Sequence, residues 1–273
     1  MLSIIKESFK LTNRYIILAT PLILFSLLST LYLVFSATGN NLNIIIGFIL
    51  LFLMFGAFLA GWLNMVTVCI NNPDDENPNK LLSEFPAGVG EYFLPALGML
   101  VNILIVGTVL FFISYYIGMK LIGDIGISTN DFANSFASVE SIKTFLGGLT
   151  EVQLKKLNAW NLLLFLTMSF TYFVIMFYSP SLFFKEKNPY KAFYIGLKDL
   201  FSRKFFKNLA LFLTVFGMYF VVSIFVTASG QNPILYFLFT LVNFYFMTFA
   251  VVYIYNFYYN NYVRIGANID TRV

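Results

Sequence analysis

Six apolar runs, each long enough to cross a membrane as a helix, constrain the fold of this 273-residue chain more than any other feature. Crossing the hydrocarbon core takes roughly 20 mainly apolar residues. Only 11% of the residues are charged, against about 25% in a soluble domain. The sequence therefore predicts an all-α integral membrane protein with six transmembrane helices, forming one membrane domain over residues 1–273. The predicted spans are Tyr15–Phe35, Ile44–Ile70, Phe93–Ile117, Trp160–Tyr178, Leu209–Thr227 and Ile234–Tyr259.

The basic residues predict how these helices are oriented, because Lys and Arg are enriched in cytoplasmic connections. With the N-terminus inside, the outer segments hold only Lys120, Lys143, Lys155 and Lys156, and the rest of the 17 basic residues fall on the inner side. Both termini are therefore expected in the cytoplasm. Charged residues precede the first span, which is long enough to cross, so no cleaved signal peptide is expected. Richness in Phe, Ile, Asn, Tyr and Lys indicates an AT-rich bacterial genome, and hence a bacterial cell membrane.

A basic connection between the fourth and fifth spans, Lys185–Asn208, holds seven of these 17 residues. Residues Asn188–Lys204 are predicted to form an amphipathic helix lying in the membrane surface. Its lysines Lys191 and Lys198 and its acid Asp199 lie opposite an apolar arc, which consists of Tyr190, Phe193, Tyr194, Leu197, Leu200 and Phe201. The same reasoning predicts a second cytoplasmic surface helix at Leu2–Asn13.

These surface helices suggest the bilayer itself, and anionic lipids or an acidic cytoplasmic protein, as binding partners. The candidate binding residues are Lys191, Lys198, Arg203, Lys204 and Lys207. An anionic leaflet attracts each nearby basic side chain by about 1 kcal/mol. Nucleic acid is not expected as a partner, because the positive charges cluster in connections on the cytoplasmic side.

Two features of the connections bear on domain organisation. The outer loop 118–158 is long for a compact protein and predicts a structured cap or a recognition element, with helical material at Ser141–Leu146 and Thr150–Leu157. The four-letter pattern Asn-Pro-x-Lys occurs at Asn77–Lys80 and again at Asn188–Lys191. It suggests three parallel repeats of surface helix, span, turn and span, covering residues 2–70, 78–178 and 188–259.

Polar and small residues inside the spans are the other candidate sites. Asn64, Asn102 and Asn243 are amides at membrane depth, where each needs a hydrogen-bonding partner on another helix. They could line a polar pathway, or they could hold helices together. Small residues of the second span, at four-residue spacing, predict a close helix contact within the chain or with a second copy. These are Gly56, Ala57, Ala60 and Gly61.

The chain carries no recognisable catalytic or metal-binding set. It contains no histidine, which excludes His-ligated zinc and haem sites and serine–histidine catalysis. No acidic or basic residue lies in the middle of a predicted span, as proton relays require. The acidic turn Asp74–Glu76 lacks the spacing and the glycine of a calcium loop. No catalytic residue, metal or cofactor is therefore expected, and the chain is predicted not to be an enzyme.

Short elements of the two surface helices resemble a known family. They are the segment Ile5–Thr12 and the segment Tyr190–Phe193 followed by Leu197. They resemble a bacterial six-helix membrane domain that precedes the catalytic part of some glycerophosphodiester phosphodiesterases and also occurs in stand-alone proteins of unsettled function. Gly196 stands where that pattern has Ser, and the catalytic domain has no counterpart here. The resemblance implies a stand-alone six-helix membrane module.

Two function classes follow from these observations, with a transport-related function as the main prediction and an interaction role as the alternative. A transport-related protein, permease-like or associated with a transporter, would place the three asparagines along the axis of the spans. A membrane scaffold or interaction protein would instead bind anionic lipid or a cytoplasmic partner through its basic surface helices. A continuous polar cavity would favour the first class, and a solid apolar bundle the second.

Overall fold

The computed structural model describes residues 1–36, 41–73, 78–128, 134–135 and 138–264, and all regular elements within these ranges are helical. Within these ranges, nine α-helices carry the fold: α1 (Leu2–Arg14), α2 (Ala19–Ser36), α3 (Asn41–Asn71), α4 (Pro78–Leu121), α5 (Val139–Gly148), α6 (Glu151–Phe184), α7 (Pro189–Leu200), α8 (Phe205–Ala228) and α9 (Pro233–Tyr258). The acidic turn Asp74–Glu76 and the outer turn at Gly39 and Asn40 lie outside the described residues.

Six of these helices are long and apolar enough to cross a membrane, namely α2, α3, α4, α6, α8 and α9. They coincide with the six predicted spans, so the prediction of a multi-pass all-α membrane protein is confirmed at this level. The surface of the spans agrees with a lipid environment, because large apolar side chains such as Phe48, Leu104 and Phe112 are more than half exposed.

The described residues group into two compact units. The first unit comprises residues 1–102 and 174–273, and the second comprises residues 103–173. In the first unit, α1 and α8 pack on α9, and α3 packs on both α2 and α9. The indole of Trp62 on α3 donates a hydrogen bond to the carbonyl of Leu18 (2.8 Å), which fixes the start of α2.

The second unit joins the end of α4 to the start of α6. Ser114 and Thr167 share a hydrogen bond of 2.6 Å between these two helices. The indole of Trp160 donates a hydrogen bond to the carbonyl of Gly123 (3.1 Å). The side-chain amide of Gln153 donates a hydrogen bond to the carbonyl of Gly126 (3.1 Å). Both glycines have positive φ angles, 77° and 73°, a conformation that other residues rarely adopt.

Helix starts explain why the dipeptide Asn-Pro recurs in this chain. Asn188 caps α7 by accepting hydrogen bonds from the amides of Tyr190 (3.0 Å) and Lys191 (3.2 Å), with Pro189 in the first turn. Asn232 caps α9 in the same way, followed by Pro233. Asn is a preferred N-cap, and Pro lacks only an amide that would be unpaired there anyway. Local capping thus accounts for these two Asn-Pro pairs, whereas Asn77 of the predicted repeat lies outside the described residues. The three-fold repeat stays a prediction.

Several predicted boundaries need correction. The surface helix predicted to reach Lys204 ends at Leu200, and a short turn separates it from α8. The third span and the amphipathic stretch before it form one continuous helix, α4, although Pro86 and Pro95 lie inside it. Segment Thr150–Leu157, predicted as loop helix, belongs almost entirely to α6, while α5 corresponds to the predicted Ser141–Leu146 helix.

Pro21 falls inside the first predicted span, where a proline would be expected to kink the helix, and the structure corrects this expectation. The first long helix begins at Ala19, after a 3₁₀ turn at Ile16–Leu18. Pro21 therefore lies in the first turn of α2, where its missing amide removes no helical hydrogen bond.

Candidate functional site

Helix α7 has one face packed on the protein and one exposed face. Neither face matches completely the apolar arc and the opposite charged face that the sequence predicts. Ala192 and Leu200 are fully buried, and Gly196 is buried between them. Tyr190 and Tyr194 are 68% and 69% exposed, and Phe201 just beyond the helix is 58% exposed. The predicted apolar arc is therefore split, because Leu200 packs inside the protein and Phe193 packs edge-on against Tyr178 of α6, while the rings of Tyr190, Tyr194 and Phe201 are exposed. Lys191 and Lys198 are exposed beside those rings.

Gly196 allows the closest approach of α7 to another helix. A Cβ atom at this position would lie 2.9 Å from the Cα of Tyr178 and 3.0 Å from the carbonyl oxygen of Phe177, both on α6. These are backbone atoms, which a side-chain rotation cannot move aside. The glycine thus holds α7 against α6, and its presence in place of the Ser of the resembled pattern has a packing reason.

Asp199 lies on the packed side of α7 and contacts two other helices. Its carboxylate accepts hydrogen bonds from Lys185 Nζ (2.8 Å) at the end of α6 and from the hydroxyl of Tyr258 (2.5 Å) on α9. Tyr258 is 1% exposed, and the Lys185 and Asp199 side chains are only 25% and 14% exposed. The predicted placement of Asp199 on the solvated face, together with Lys191 and Lys198, is therefore wrong.

Asn208 joins the end of α7 to the start of α8 and is fully buried. Its amide nitrogen donates to the carbonyls of Asp199 (3.0 Å) and Leu200 (2.9 Å) in the last turn of α7, where carbonyls lack the usual helical partner four residues ahead. Its amide oxygen accepts from the hydroxyl of Tyr262 (2.8 Å). We call these connected residues the junction cluster: Lys185, Asp199, Lys204, Asn208, Tyr258 and Tyr262.

Two lysines of the junction cluster lie against the same aromatic ring. The ammonium nitrogens of Lys185 and Lys204 are 5.6 Å and 5.0 Å from the centroid of the Tyr262 ring, within the range of a cation–π interaction. Lys204 also donates to the carbonyl of Asn261 (2.6 Å). Partial burial lowers the pKa of Lys204 below its ordinary value, the nearby charge of Lys207 lowers it further, and Asp199 opposes the shift. The cluster thus contains two ammonium groups, Lys185 and Lys204, and one carboxylate, Asp199.

An ion pair ties the connection between α6 and α7 to α4. Lys187 forms a salt bridge with Glu91, and its ammonium nitrogen is 5.4 Å from the centroid of the Tyr92 ring. The hydrogen bond to Glu91 raises the pKa of Lys187. Lys187 was not singled out in the sequence, because nothing there indicated that Glu91 would lie beside it.

The remaining predicted lipid-binding residues have different environments. Arg203 and Lys207 are exposed near the start of α8, whereas Lys204 is half-buried and bonded as described above. Four of the five predicted basic residues therefore present their side chains to the surroundings of the protein. Lys204 differs from these four, because its ammonium group is held by a hydrogen bond to the carbonyl of Asn261.

The three intramembrane asparagines are not linked to one another by hydrogen bonds. Asn64 is 8% exposed and donates to the backbone carbonyl of Glu84 (3.0 Å), joining α3 to α4. Asn102 is 7% exposed and donates to the hydroxyl of Tyr178 (2.9 Å), joining α4 to α6. Asn243 is half-buried on α9. These contacts are of the kind that holds helices together, and a pathway along all three residues stays a prediction.

The small residues of the second span lie against α4 of the same chain. A Cβ at Gly56 would meet the side chain of Leu97, and one at Gly61 would meet the ring of Phe85. Ala60 is fully buried, and Ala57 is half-buried. A Cβ at Gly88 on α4 would lie 2.8 Å from the carbonyl oxygen of Ala60. Close contact along this stripe is therefore made inside the first unit.

Two cavities lie away from these asparagines. One, of about 740 Å³, is in the second unit and is lined mainly by hydroxyl and amide side chains between Gly126 and Gln153. The other, of about 210 Å³, is in the first unit and is lined by Tyr15, Val68, Cys69, Asn72, Lys80, Leu81 and Glu84. None of the three asparagines lines either cavity.

Sequence reasoning missed most of the junction cluster. Asn208, Tyr258 and Tyr262 lie at the ends of apolar runs, where polar and aromatic residues are common in membrane proteins, so the sequence does not mark them as members of one cluster. One signal was available in α7 itself. Ala192, Gly196 and Leu200 recur at four-residue spacing, a pattern of small residues that marks close helix packing, and Asp199 lies beside that stripe rather than opposite it.

Comparison with protein-family models, curated proteins and solved structures finds no match to this chain. The resemblance to the membrane domain of glycerophosphodiester phosphodiesterases therefore stays a prediction, carried by short elements of the two surface helices.

Proposed function

We propose that this multi-pass protein belongs to a bacterial cell membrane, has both termini in the cytoplasm, and binds anionic lipid headgroups through α7 and the turn that follows it. The orientation rests on the basic residues, because most of them lie in the segments assigned to the inner side. Both amphipathic helices, α1 and α7, then lie at the inner boundary of the bilayer.

The observation that carries this proposal is the outward face of α7. Three aromatic rings that are more than half exposed stand beside two exposed lysines, while the opposite face of the helix is packed on the protein. Aromatic rings favour the headgroup level of a membrane, and lysines beside them meet the lipid phosphates. If the lysines served only to set the orientation of the chain in the membrane, exposed aromatic rings beside them would not be needed.

Helix α1 supports the same interpretation. Ser8 and Thr12 are buried against the protein, and the amide of Asn256 on α9 donates to the Ser8 hydroxyl (3.1 Å). On the other side, Leu2 and Phe9 are 76% and 51% exposed. Both surface helices thus combine a packed face of small residues with an exposed apolar face next to basic residues.

Lipid retention tests the proposal directly. Lys191, Lys198 and Lys207 are exposed, so changing all three to Gln removes charge without replacing a residue of the junction cluster. Each lost attraction is worth about 1 kcal/mol, roughly fivefold in affinity. Native mass spectrometry should show at least fivefold less phosphatidylglycerol retained by the triple variant. Added salt should narrow that difference, because exposed charges are screened within about 8 Å at 0.15 M.

The matched control removes three exposed lysines on the other side of the predicted membrane. Changing Lys120, Lys143 and Lys155 to Gln alters the net charge by the same amount. Equal lipid loss in both variants, or no loss in either, would contradict a headgroup site on α7. If phosphatidylglycerol retention is unchanged while a co-purified acidic protein is lost, the alternative of a cytoplasmic partner is favoured.

A further inference from the structure

The smaller cavity of the first unit, about 210 Å³ in volume, combines an apolar floor with a charged rim. It lies where the end of α3 and the start of α4 meet the residue that follows α1. Its floor consists of side chains that are at most 5% exposed, namely Tyr15, Cys69 and Leu81. Its rim carries an amide and two opposite charges, those of Asn72, Lys80 and Glu84. The proposed lipid site on α7 uses none of these residues.

The carboxylate of Glu84 is the main polar group at this rim. Glu84 is half-buried, and its carboxylate forms no ion pair or hydrogen bond with any residue that the structure describes. Its backbone carbonyl is used, because it accepts a hydrogen bond from the Asn64 amide. Lys80 lies one turn earlier on the same face of α4, yet no ion pair joins these two described side chains. Because a charge that is partly removed from water needs a partner, the carboxylate is placed to bind a cation from outside the chain.

Positive charge is present at the same cavity. Lys80 is exposed at the rim, and its ammonium group has three N–H donors, so it can hold an anionic group in addition to other contacts. The guanidinium of Arg14 stands 5.6 Å from the centroid of the Tyr15 ring. Arg14 and the Tyr15 hydroxyl both donate to the carbonyl of Pro73 (2.9 Å and 3.3 Å). The cavity therefore offers charges of both signs next to an apolar floor.

From this arrangement we infer that the cavity binds a zwitterionic α-amino acid with an apolar side chain. The ammonium group of the ligand pairs with Glu84, its carboxylate pairs with Lys80 and the Asn72 amide, and its side chain contacts the buried floor. A ligand with only one of the two charges leaves a charge of the rim without a partner. Drug-sized ligands occupy cavities of about 300–1,000 Å³, so this smaller cavity fits a ligand the size of an amino acid.

Binding of radiolabelled L-leucine to the whole chain tests this inference. The protein is placed in nanodiscs of phosphatidylglycerol, a lipid without an ammonium group, and binding is measured by scintillation proximity. Two analogues compete with leucine: L-leucinamide lacks the carboxylate, and 4-methylpentanoate lacks the ammonium group. Each should compete roughly tenfold less well than unlabelled leucine, because each loses one charged contact. If leucine, methionine and valine all fail to show saturable binding, the inference is overturned.

Two variants assign the charged contacts to their residues. Glu84→Gln should weaken leucine binding roughly tenfold and should abolish the preference for leucine over 4-methylpentanoate, which has no ammonium group to lose. Lys80→Gln should abolish the preference for leucine over leucinamide in the same way. Glu84→Gln should remain folded, because it keeps the backbone carbonyl that the Asn64 amide uses. A role in structure alone would change the affinity for all three compounds together.

Lys6→Gln and Glu7→Gln are the matched controls. Both residues are exposed on α1 and line neither cavity, so these changes should leave both preferences intact. Preferences that survive in Glu84→Gln and Lys80→Gln, or that disappear equally in the controls, would overturn the inference. Binding of glycerophosphoethanolamine without binding of leucine would indicate a lipid headgroup site and would overturn it too. None of these results depends on lipid binding by α7.

Discussion

Replacing Gly196 by alanine tests how α7 is held against α6. The added methyl group would lie 2.9–3.0 Å from three backbone atoms of Phe177 and Tyr178, where ordinary van der Waals contact begins at about 3.4 Å. Because those atoms belong to the α6 backbone, the two helices must separate by several tenths of an ångström. The contacts of Ala192 and Leu200, both fully buried, would loosen with them.

The size of the effect follows from comparing this glycine with an unobstructed one. Gly90, on α4, has no atom within 4 Å of the position its Cβ would take. Alanine in either helix gains about 1 kcal/mol of helix propensity over glycine. Only at Gly196 does the methyl group overpack the contact, at a cost of about 1–3 kcal/mol. The two variants should therefore differ by about 1–3 kcal/mol in the free energy of unfolding, with Gly196→Ala the less stable.

Equilibrium unfolding in mixed micelles of dodecylmaltoside and SDS, followed by circular dichroism, measures this difference. Gly90→Ala should unfold at the same SDS fraction as the parent protein or at a higher one. Gly196→Ser should be at least as destabilised as Gly196→Ala, because its side chain begins with the same atom. If Gly196→Ala and Gly90→Ala unfold at the same SDS fraction, the close backbone contact does not limit this position and the reasoning is refuted.

Three further predictions use the same unfolding assay. Asn208→Leu should lower stability by about 1–3 kcal/mol, because it removes hydrogen bonds to two α7 carbonyls and to the Tyr262 hydroxyl, of which the Asp199 carbonyl and the hydroxyl retain only longer bonds to Ser202; a neutral outcome would mean that water replaces the amide. Asn102→Leu and Tyr178→Phe should each cost about 0.5–2 kcal/mol, and the double variant should show a coupling near 0.6 kcal/mol; strict additivity would argue against the hydrogen bond between them. The pKa of Lys204 is lowered below its ordinary 10.5, first by burial and then by Lys207, so the folded state releases this proton at a lower pH than the unfolded state does. Stability should therefore rise with pH in the window just below 10.5, and Lys204→Gln should remove that rise; an unchanged pH profile would count against it.

The long apolar runs determined the number and type of the main elements. A segment of about 20 apolar residues cannot satisfy its backbone in a bilayer except as a helix, so the six spans could be read without tertiary information. The helix starts were also encoded locally, since Asn188 and Asn232 cap the helices that follow them through bonds to residues two and three positions ahead. Periodicity likewise located the surface helices α1 and α7.

Which face of α7 packs on the rest of the protein could not be predicted as reliably from the sequence. Hydrophobicity distinguishes water from an apolar environment, but it does not distinguish lipid from protein, because both are apolar. The exposed rings of Tyr190 and Tyr194 and the buried Leu200 therefore looked alike in the sequence. What separated them was the small volume of Ala192 and Gly196, which lets a neighbouring backbone approach.

The contacts of the polar residues were decided by tertiary structure alone. Asp199 meets Lys185 fourteen positions before it and Tyr258 fifty-nine positions after it, and no local pattern predicts such a meeting. Composition and periodicity thus determined that this chain forms six membrane-spanning helices with amphipathic helices beside them. Which amides found partners, as Asn64 and Asn102 did and Asn243 did not, depended on which helices came to lie next to each other, and that is set by packing between segments far apart in the sequence.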